Sequence, residues 1–430
     1  DDCKICSSGK WAYAGAVYCE SCEAGRYLTD NSASSAAHTS PVLCALCAKG
    51  QWSHANAQTC TECGAGKYLE DLSLSKNHND EYDCKKCPSG TWSLASSHTC
   101  TMCIAGTYLK MNGQSSNSCN VCPSGQWSAV GADECISCDS GKFLAAGATS
   151  AADHNAESKC LVCLSGQYSG VGANSCISCD QGTYIVDNGN DASLHASKSS
   201  CLVCASGTWS DTASATCTLC VAGKYIDDLS IVPANHALES SCKICGYGQY
   251  SGAGATICIE CQSGKYITDD ASNHENHDAV GDCAICASGQ YSIFGAKICV
   301  HCPTGQYIND AAQDASKHIG PGACIVCAKG QYAQNTGTTT CSLCLAGTYL
   351  ADKGVYSEKH NHVDDCLVCP NGKIATSTGL HTCTKCIAGT QIDDNGIDRT
   401  KHDDTDDCKI CSSGKWAYAG AVYCESCEAG

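Results

Sequence analysis

A chain of 430 residues with 44 cysteines, 2 phenylalanines, 2 methionines, 6 tryptophans and 19 tyrosines has the composition of a disulfide scaffold, with too few large apolar side chains to fill two or three ordinary cores. Its 44 acidic residues against 26 basic ones give a formal charge of −18, a field that repels phosphate backbones and anionic membranes and excludes nucleic acid as a partner. No apolar run long enough for a membrane span occurs in this segment, and the chain opens on Asp1-Asp2-Cys3 without Met or a leader, as expected of a processed or partial chain.

Taken in chain order, the cysteines repeat one unit, C-x2-C-x12-C-x2-C, eleven times. Module 1 (3–43) carries Cys3, Cys6, Cys19 and Cys22; module 2 (44–83) carries Cys44, Cys47, Cys60 and Cys63; module 3 (84–118) carries Cys84, Cys87, Cys100 and Cys103. Module 4 (119–159) has Cys119, Cys122, Cys135 and Cys138; module 5 (160–200) has Cys160, Cys163, Cys176 and Cys179; module 6 (201–241) has Cys201, Cys204, Cys217 and Cys220. Module 7 (242–282) has Cys242, Cys245, Cys258 and Cys261, and module 8 (283–323) has Cys283, Cys286, Cys299 and Cys302. Module 9 (324–365), with Cys324, Cys327, Cys341 and Cys344, and module 10 (366–407), with Cys366, Cys369, Cys383 and Cys386, each have x13 in place of x12. The partial module 11 (408–430) ends the series with Cys408, Cys411, Cys424 and Cys427. First cysteines are spaced 41, 40 and 35 residues apart, then 41 five times and 42 twice, a period that means a tandem array.

Each module is a doubled half-module, C-x2-C-x2-G-x-(W/Y), as in Cys6, Gly9, Trp11 and then Cys22, Gly25, Tyr27. Module 10 departs from it, with Ile374 and Gln391 at the aromatic positions. A glycine at a fixed place after a cysteine pair predicts a turn at positive φ or a close backbone approach, and the aromatic predicts a flat lid over a neighbouring disulfide. The inserts between modules are rich in Asp, Asn, Ser, Ala and Gly and predict loops. The predicted fold class is therefore small, disulfide-rich and mostly irregular with short β-hairpins: an elongated tandem-repeat rod of eleven cysteine-rich modules, each small enough to need covalent support.

The spacing also approaches that of a four-cysteine zinc site. Zinc requires a compartment that keeps every thiol reduced and leaves the doubled glycine-aromatic motif without purpose, so disulfides and an extracellular or cell-surface location are the expectation. A thioredoxin-type reading of each C-x2-C needs a βαβ setting that the pattern lacks. A bridge inside C-x2-C is the most strained of the three pairings; spacing leaves first-to-third with second-to-fourth and first-to-fourth with second-to-third both open.

The motif C-x2-C-x2-G-x-(W/Y)-S followed by C-x2-C-x2-G-x-Y, seen closely in Cys163 to Ser169 and Cys176 to Cys179, resembles the ephrin-receptor-like cysteine-rich repeat, in the style of tumour-necrosis-factor-receptor modules, along the entire chain. That resemblance implies an extracellular rod of the kind found in protist and algal surface proteins. It also implies first-to-third and second-to-fourth bonds, Cys160 to Cys176 with Cys163 to Cys179. The long insert bearing Asp and His is not typical of that family.

Two columns stand in the inserts. His38, His78, His154, His195, His236, His277, His318, His360 and His402 each lie six residues before the next module's first cysteine, with Gly113 at that place in module 3. Asp30, Asp71, Asp187, Asp228, Asp269, Asp310, Asp352 and Asp394 lie eight residues after a fourth cysteine, with Met111 and Ala146 as exceptions. The structural expectation is an imidazole bonded to backbone or to that aspartate, pinning the insert on the next module as an inter-module contact. The sharper one is a ladder of metal sites or a pH-sensitive contact between strands of a fibre; one His and one Asp are too few for a closed metal site, and no EF-hand spacing occurs. The short insert of module 3, 15 residues between Cys103 and Cys119, and the longer spacings of modules 9 and 10 mark docking points or neutral length drift.

Residues 1–25 recur without change as residues 406–430, an offset of 405 residues or ten modules. Other modules keep cysteines, glycines and aromatics while the rest varies, so this identity describes a long-period duplication or a window on a periodic polymer. No G-x-S-x-G, phosphate loop or other singular site occurs, so no enzyme and no cofactor is expected. The expected function is the repeating structural subunit of an extracellular filament or appendage, with copies of itself as partners; the alternative is a receptor, adhesin or surface-antigen ectodomain that binds through an exceptional module. No N-x-(S/T) acceptor is present, while Ser and Thr leave O-linked glycans open.

Overall fold

Strands form where the glycine-aromatic motif predicts them, and each is two residues long. In the computed structural model, which describes residues 4–30, 34–70, 74–145, 149–229 and 231–428, the x and aromatic positions of G-x-(W/Y) pair antiparallel with the two residues between the next two cysteines. Thus Trp11 stands opposite Glu20 and Tyr27 opposite Ala45, while Trp127 faces Ile136 and Tyr250 faces Ile259. Among the described residues there is no α-helix, and every sheet has two strands. Hairpins this short are not stable alone, so other bonds must hold them. The chain divides into two compact units, Asp1–Val203 with Ser210–Cys217, and Cys204–Trp209 with Thr218–Gly430.

The disulfides are those holding bonds, and their pairing corrects the one implied by the family resemblance. Cys163 is bonded to Cys176 and Cys179 to Cys201, so a module's second cysteine joins its third and the fourth joins the first of the next module. The same order appears as Cys6–Cys19 and Cys22–Cys44 in the first compact unit, and as Cys245–Cys258 and Cys261–Cys283 in the second. The reason lies in the two-residue strand inside each C-x2-C. Side chains alternate faces along extended chain, so cysteines three positions apart point to opposite sides. Cys176 therefore turns back to the loop just closed, and Cys179 turns forward. Cys3, also expected in a disulfide, lies outside the described residues. Cys427, expected in a disulfide, is a free, exposed thiol in this structure.

The motif glycines make the closest backbone contacts. In the first compact unit Gly9 N–H donates to Leu28 O at 2.9 Å and Gly25 N–H to Ser53 O at 2.8 Å. In the second, Gly248 N–H donates to Ile267 O at 3.1 Å and Gly264 N–H to Ser292 O at 3.2 Å. Each motif thus hangs from the carbonyl that follows the aromatic of the next half-module. Gly25 has φ +82°, and a Cβ there would stand 2.1 Å from Ser75 O of module 2, so both expectations for this glycine hold.

What fills the small interior is sulfur plus a column visible one residue past the aromatics. Leu28, Leu69, Leu109, Leu144, Ile185, Ile226, Ile267, Ile308, Leu350 and Ile392 follow the second-half aromatic position and are all buried. Leu28, Leu69, Leu144, Ile226, Ile267, Ile308, Leu350 and Ile392 pack on the bridge from a fourth cysteine, as Ile226 does on Cys220 and Cys242, with the half-buried Trp209 laid against the same cluster. Trp52, Trp127, Tyr250, Tyr291 and Tyr332 do likewise in their modules, so the first-half aromatics are the expected lids. In module 10 Ile374 takes that place beside Cys386, Ile392 and Cys408.

Candidate functional site

The inserts are not featureless loops. Most carry two 3-10 turns, one at the histidine, as in Ala192–His195, and one immediately before the next cysteine, as in Lys198–Ser200. The first turn in module 5 starts with Asp191 accepting the Ser193 N–H at 2.9 Å, an N-cap that fixes where the chain bends. It ends by placing His195 in the interior, where it is fully buried.

There the ring has two partners. The Nδ1 atom of His195 stands 2.6 Å from the carbonyl oxygen of Gln167, and Nε2 stands 3.0 Å from Oδ2 of Asp187. The arrangement repeats with His236, Thr208 O and Asp228; with His277, Gln249 O and Asp269; and with His318, Gln290 O and Asp310. It recurs with His360, Gln331 O and Asp352, and with His402, Lys373 O and Asp394. His38 bonds Lys10 O through Nδ1 at 2.6 Å, with Asp30 at 3.2 Å from Nε2. His78 and His154 bond Gln51 O and Gln126 O through Nδ1. Asp71 and Ala146, at the aspartate position of those two modules, lie outside the described residues.

All nine histidines, His38, His78, His154, His195, His236, His277, His318, His360 and His402, direct these bonds to the first hairpin of their own module. The expected pin onto the next module is corrected accordingly. The carbonyl they bond is the x of G-x-(W/Y), 27 to 29 residues upstream, and the backbone follows the side chain: Ser169 N–H donates to His195 O at 2.9 Å and Ser251 N–H to His277 O at 2.8 Å. Contacts onto the next module are made by the glycines, as Gly25 shows. Module 3, whose insert has no histidine, keeps the backbone bond only: Ser93 N–H donates to Gln114 O at 3.2 Å, so Gln114, not the aligned Gly113, takes the vacant place.

Asp187, Asp228, Asp269, Asp310, Asp352 and Asp394 are all held below the usual carboxylate range. Backbone N–H of Asp191, the His195 ring and the N–H of Asn190 hold Asp187 down to about 2. Backbone N–H of Asp314, then His318, bring Asp310 to about 2 as well. The side-chain amide of Asn276, with His277, places Asp269 well below the usual carboxylate range, and the His360 ring lowers Asp352. A second buried column escaped the sequence reading as a site: Ser53, Ser93, Ser128, Ser169, Ser210, Ser251 and Ser292. Each donates its hydroxyl to the x-position carbonyl of the preceding half-module, Ser169 to Lys142 O at 2.8 Å for example. Its signal was the serine after the aromatic, which gives way to Ala333 and Ala375 in modules 9 and 10.

Among the described residues no group of three or more His, Cys, Asp or Glu is placed to hold a metal ion. No protein family matches the chain, and no curated protein matches it. The extensive disulfides mark an extracellular or secreted protein, and among the described residues no helix is long and apolar enough to cross a membrane. Chemically, the column of histidines and aspartates can carry load and bind protons; it presents no open face to a substrate, since the rings are buried.

Proposed function

We propose that the chain is a repeating structural subunit of an extracellular filament or cell-surface appendage, built on a ten-module, 405-residue period and without catalytic activity. The observation that carries this reading is the unbroken identity of residues 1–25 with 406–430 in a chain whose other modules diverge freely. The covalent pattern supports it: a bridge such as Cys179–Cys201 ties each module to the next, so tension along the chain passes through disulfides as well as backbone. The resemblance to ephrin-receptor-like repeats is compatible with such a role, and O-linked glycans on the many Ser and Thr residues belong to the same proposal. Electron microscopy of native material tests it. Long fibres with a repeat matching ten modules are expected; particles that stay single at high concentration overturn it.

The alternative, a receptor or adhesin ectodomain, draws on module 3. Its insert is the shortest in the sequence and lacks the histidine of the column, so this module departs from the others. A ligand captured by the intact chain and lost when residues 104–118 are replaced by the insert of module 5 would favour it.

A further inference from the structure

In module 5, one oxygen of Asp187, Oδ2, accepts the N–H of Asn190 at 2.8 Å and of Asp191 at 3.1 Å, and the same oxygen faces Nε2 of His195. An oxygen already receiving two amide protons carries none of its own, so Nε2 is the donor. On the other side Nδ1 faces the carbonyl of Gln167, which has no proton to give, so Nδ1 is a donor too. Only the doubly protonated ring satisfies both. Module 8 repeats the logic: Oδ2 of Asp310 accepts Gln313 N–H and Asp314 N–H, both at 3.1 Å, and faces Nε2 of His318 at 3.1 Å.

We propose that His195 and His318, and their counterparts wherever the aspartate is paired, are imidazolium latches that hold each insert on its hairpin and release it when the ring loses a proton. Loss of either proton turns a buried donor into a lone pair aimed at an acceptor oxygen. The groups around His195 do not supply a substitute charge. Asp187 and Asp191 lie on its own insert and are both acidic. Lys198, on the following turn, is engaged 2.7 Å from Asp180, and the strand beneath, Gln167–Tyr168, supplies the Gln167 carbonyl. Asp310, Asp314 and Lys317 lie on the insert of His318; the Lys317 ammonium is 3.5 Å from Asp310 Oδ1, on the oxygen away from the ring. In both modules the latch is closed while both ring nitrogens carry a proton and open when either is bare. The inference concerns single modules and stands whether or not copies assemble into fibres.

The test is hydrogen exchange of the intact, oxidised chain over a pH series, each rate divided by the intrinsic chemical rate, with 15N spectra of the labelled imidazoles alongside. Amides of inserts 187–200 and 310–323 are expected to gain about tenfold or more in corrected exchange on the alkaline side, while insert 104–118 of module 3, which has no imidazole, shows no such step. Where the inserts are protected, both ring nitrogens should give imidazolium shifts. Asp187→Asn keeps an oxygen facing Nε2 but removes the charge, so the step in module 5 should move toward acid while that of module 8 stays. An equal step in module 3, or a ring with one bare nitrogen while its insert is protected, overturns the proposal. The spectra of the unaltered chain decide it even if the variant fails to fold.

Discussion

Cys179 is bonded to Cys201, across the boundary that the cysteine period places between modules 5 and 6. A module is therefore not a closed domain but one stretch of a stapled chain, in which loops closed by short bridges such as Cys163–Cys176 alternate with longer ones. Non-reducing digestion followed by mass spectrometry should yield linked peptides holding Cys163 with Cys176 and Cys179 with Cys201, and none joining Cys160 to Cys176. Removing one bridge by paired Ser substitution at Cys179 and Cys201 should lower the stability of that segment by about 3 kcal/mol in the chain-entropy picture, and the effect should fade a module or two away. Exchange mapped along the chain measures both.

Two glycines at positive φ separate backbone strain from collision. Gly15 has φ +85° and open space within 4 Å of where a Cβ would stand, whereas Gly25 has φ +82° and Ser75 O at 2.1 Å from that point. Gly15→Ala should cost about 1 kcal/mol, the left-handed penalty alone. Gly25→Ala must in addition move the backbone of the next module, and should cost about 3 kcal/mol or more, opening the turn Ser75–Asn77. Equal costs would mean that the contact between modules 1 and 2 at Gly25 yields without strain.

The aspartates fix the acid limit of the array. Folding holds Asp187 and Asp310 near 2, so between that value and the unfolded carboxyl near 4 the unfolded chain binds the extra protons. Their contribution is complete above about pH 4 and is lost as pH falls through about 2. Inserts 187–200 and 310–323 should therefore remain protected at pH 4 and exchange faster near pH 2, while the disulfides keep the hairpins joined. Asp310→Asn should remove that acid dependence from module 8 only. A flat response across this window would show that the carboxylates are not what holds the inserts.

Much of this was legible in the sequence because it recurs. The Cys, Gly and Trp or Tyr columns announced hairpins, turns and lids, and the structure places strands at Gln126–Trp127 and Gln167–Tyr168 as the motif requires. The pairing of the sulfurs was not legible, because it depends on which way two residues of extended chain turn each cysteine, and spacing is blind to that. The histidine column was visible, its target was not. The acceptor is a backbone carbonyl 28 residues upstream of His195, and carbonyls have no sequence signature. The Leu and Ile column stood in plain view beside the aromatics, but short hairpins give too little alternation to say which of two neighbours faces inward.

Module 10 supplies the comparison for the lids. Where Trp209 lies half-buried on the Cys220–Cys242 bridge and Ile226, Ile374 lies buried on Cys386, Cys408 and Ile392. A branched aliphatic side chain is thus able to seal the same cluster, with less surface covering the sulfur. Trp209→Ile should cost about 1 kcal/mol, a change of shape with most of the contact retained. Trp209→Ala leaves the bridge and Ile226 uncovered and should cost about 2–3 kcal/mol, less than a fully buried tryptophan because part of the indole is already in water. Native-state exchange of the amides at Cys220 and Ile226, whose N–H groups bond Gly207 O at 2.8 Å and Ala255 O at 3.2 Å, reads both values locally. If the alanine variant matched the isoleucine one, the aromatic would be covering the disulfide without stabilising it, and the preference for Trp or Tyr at this position would need a cause outside the module.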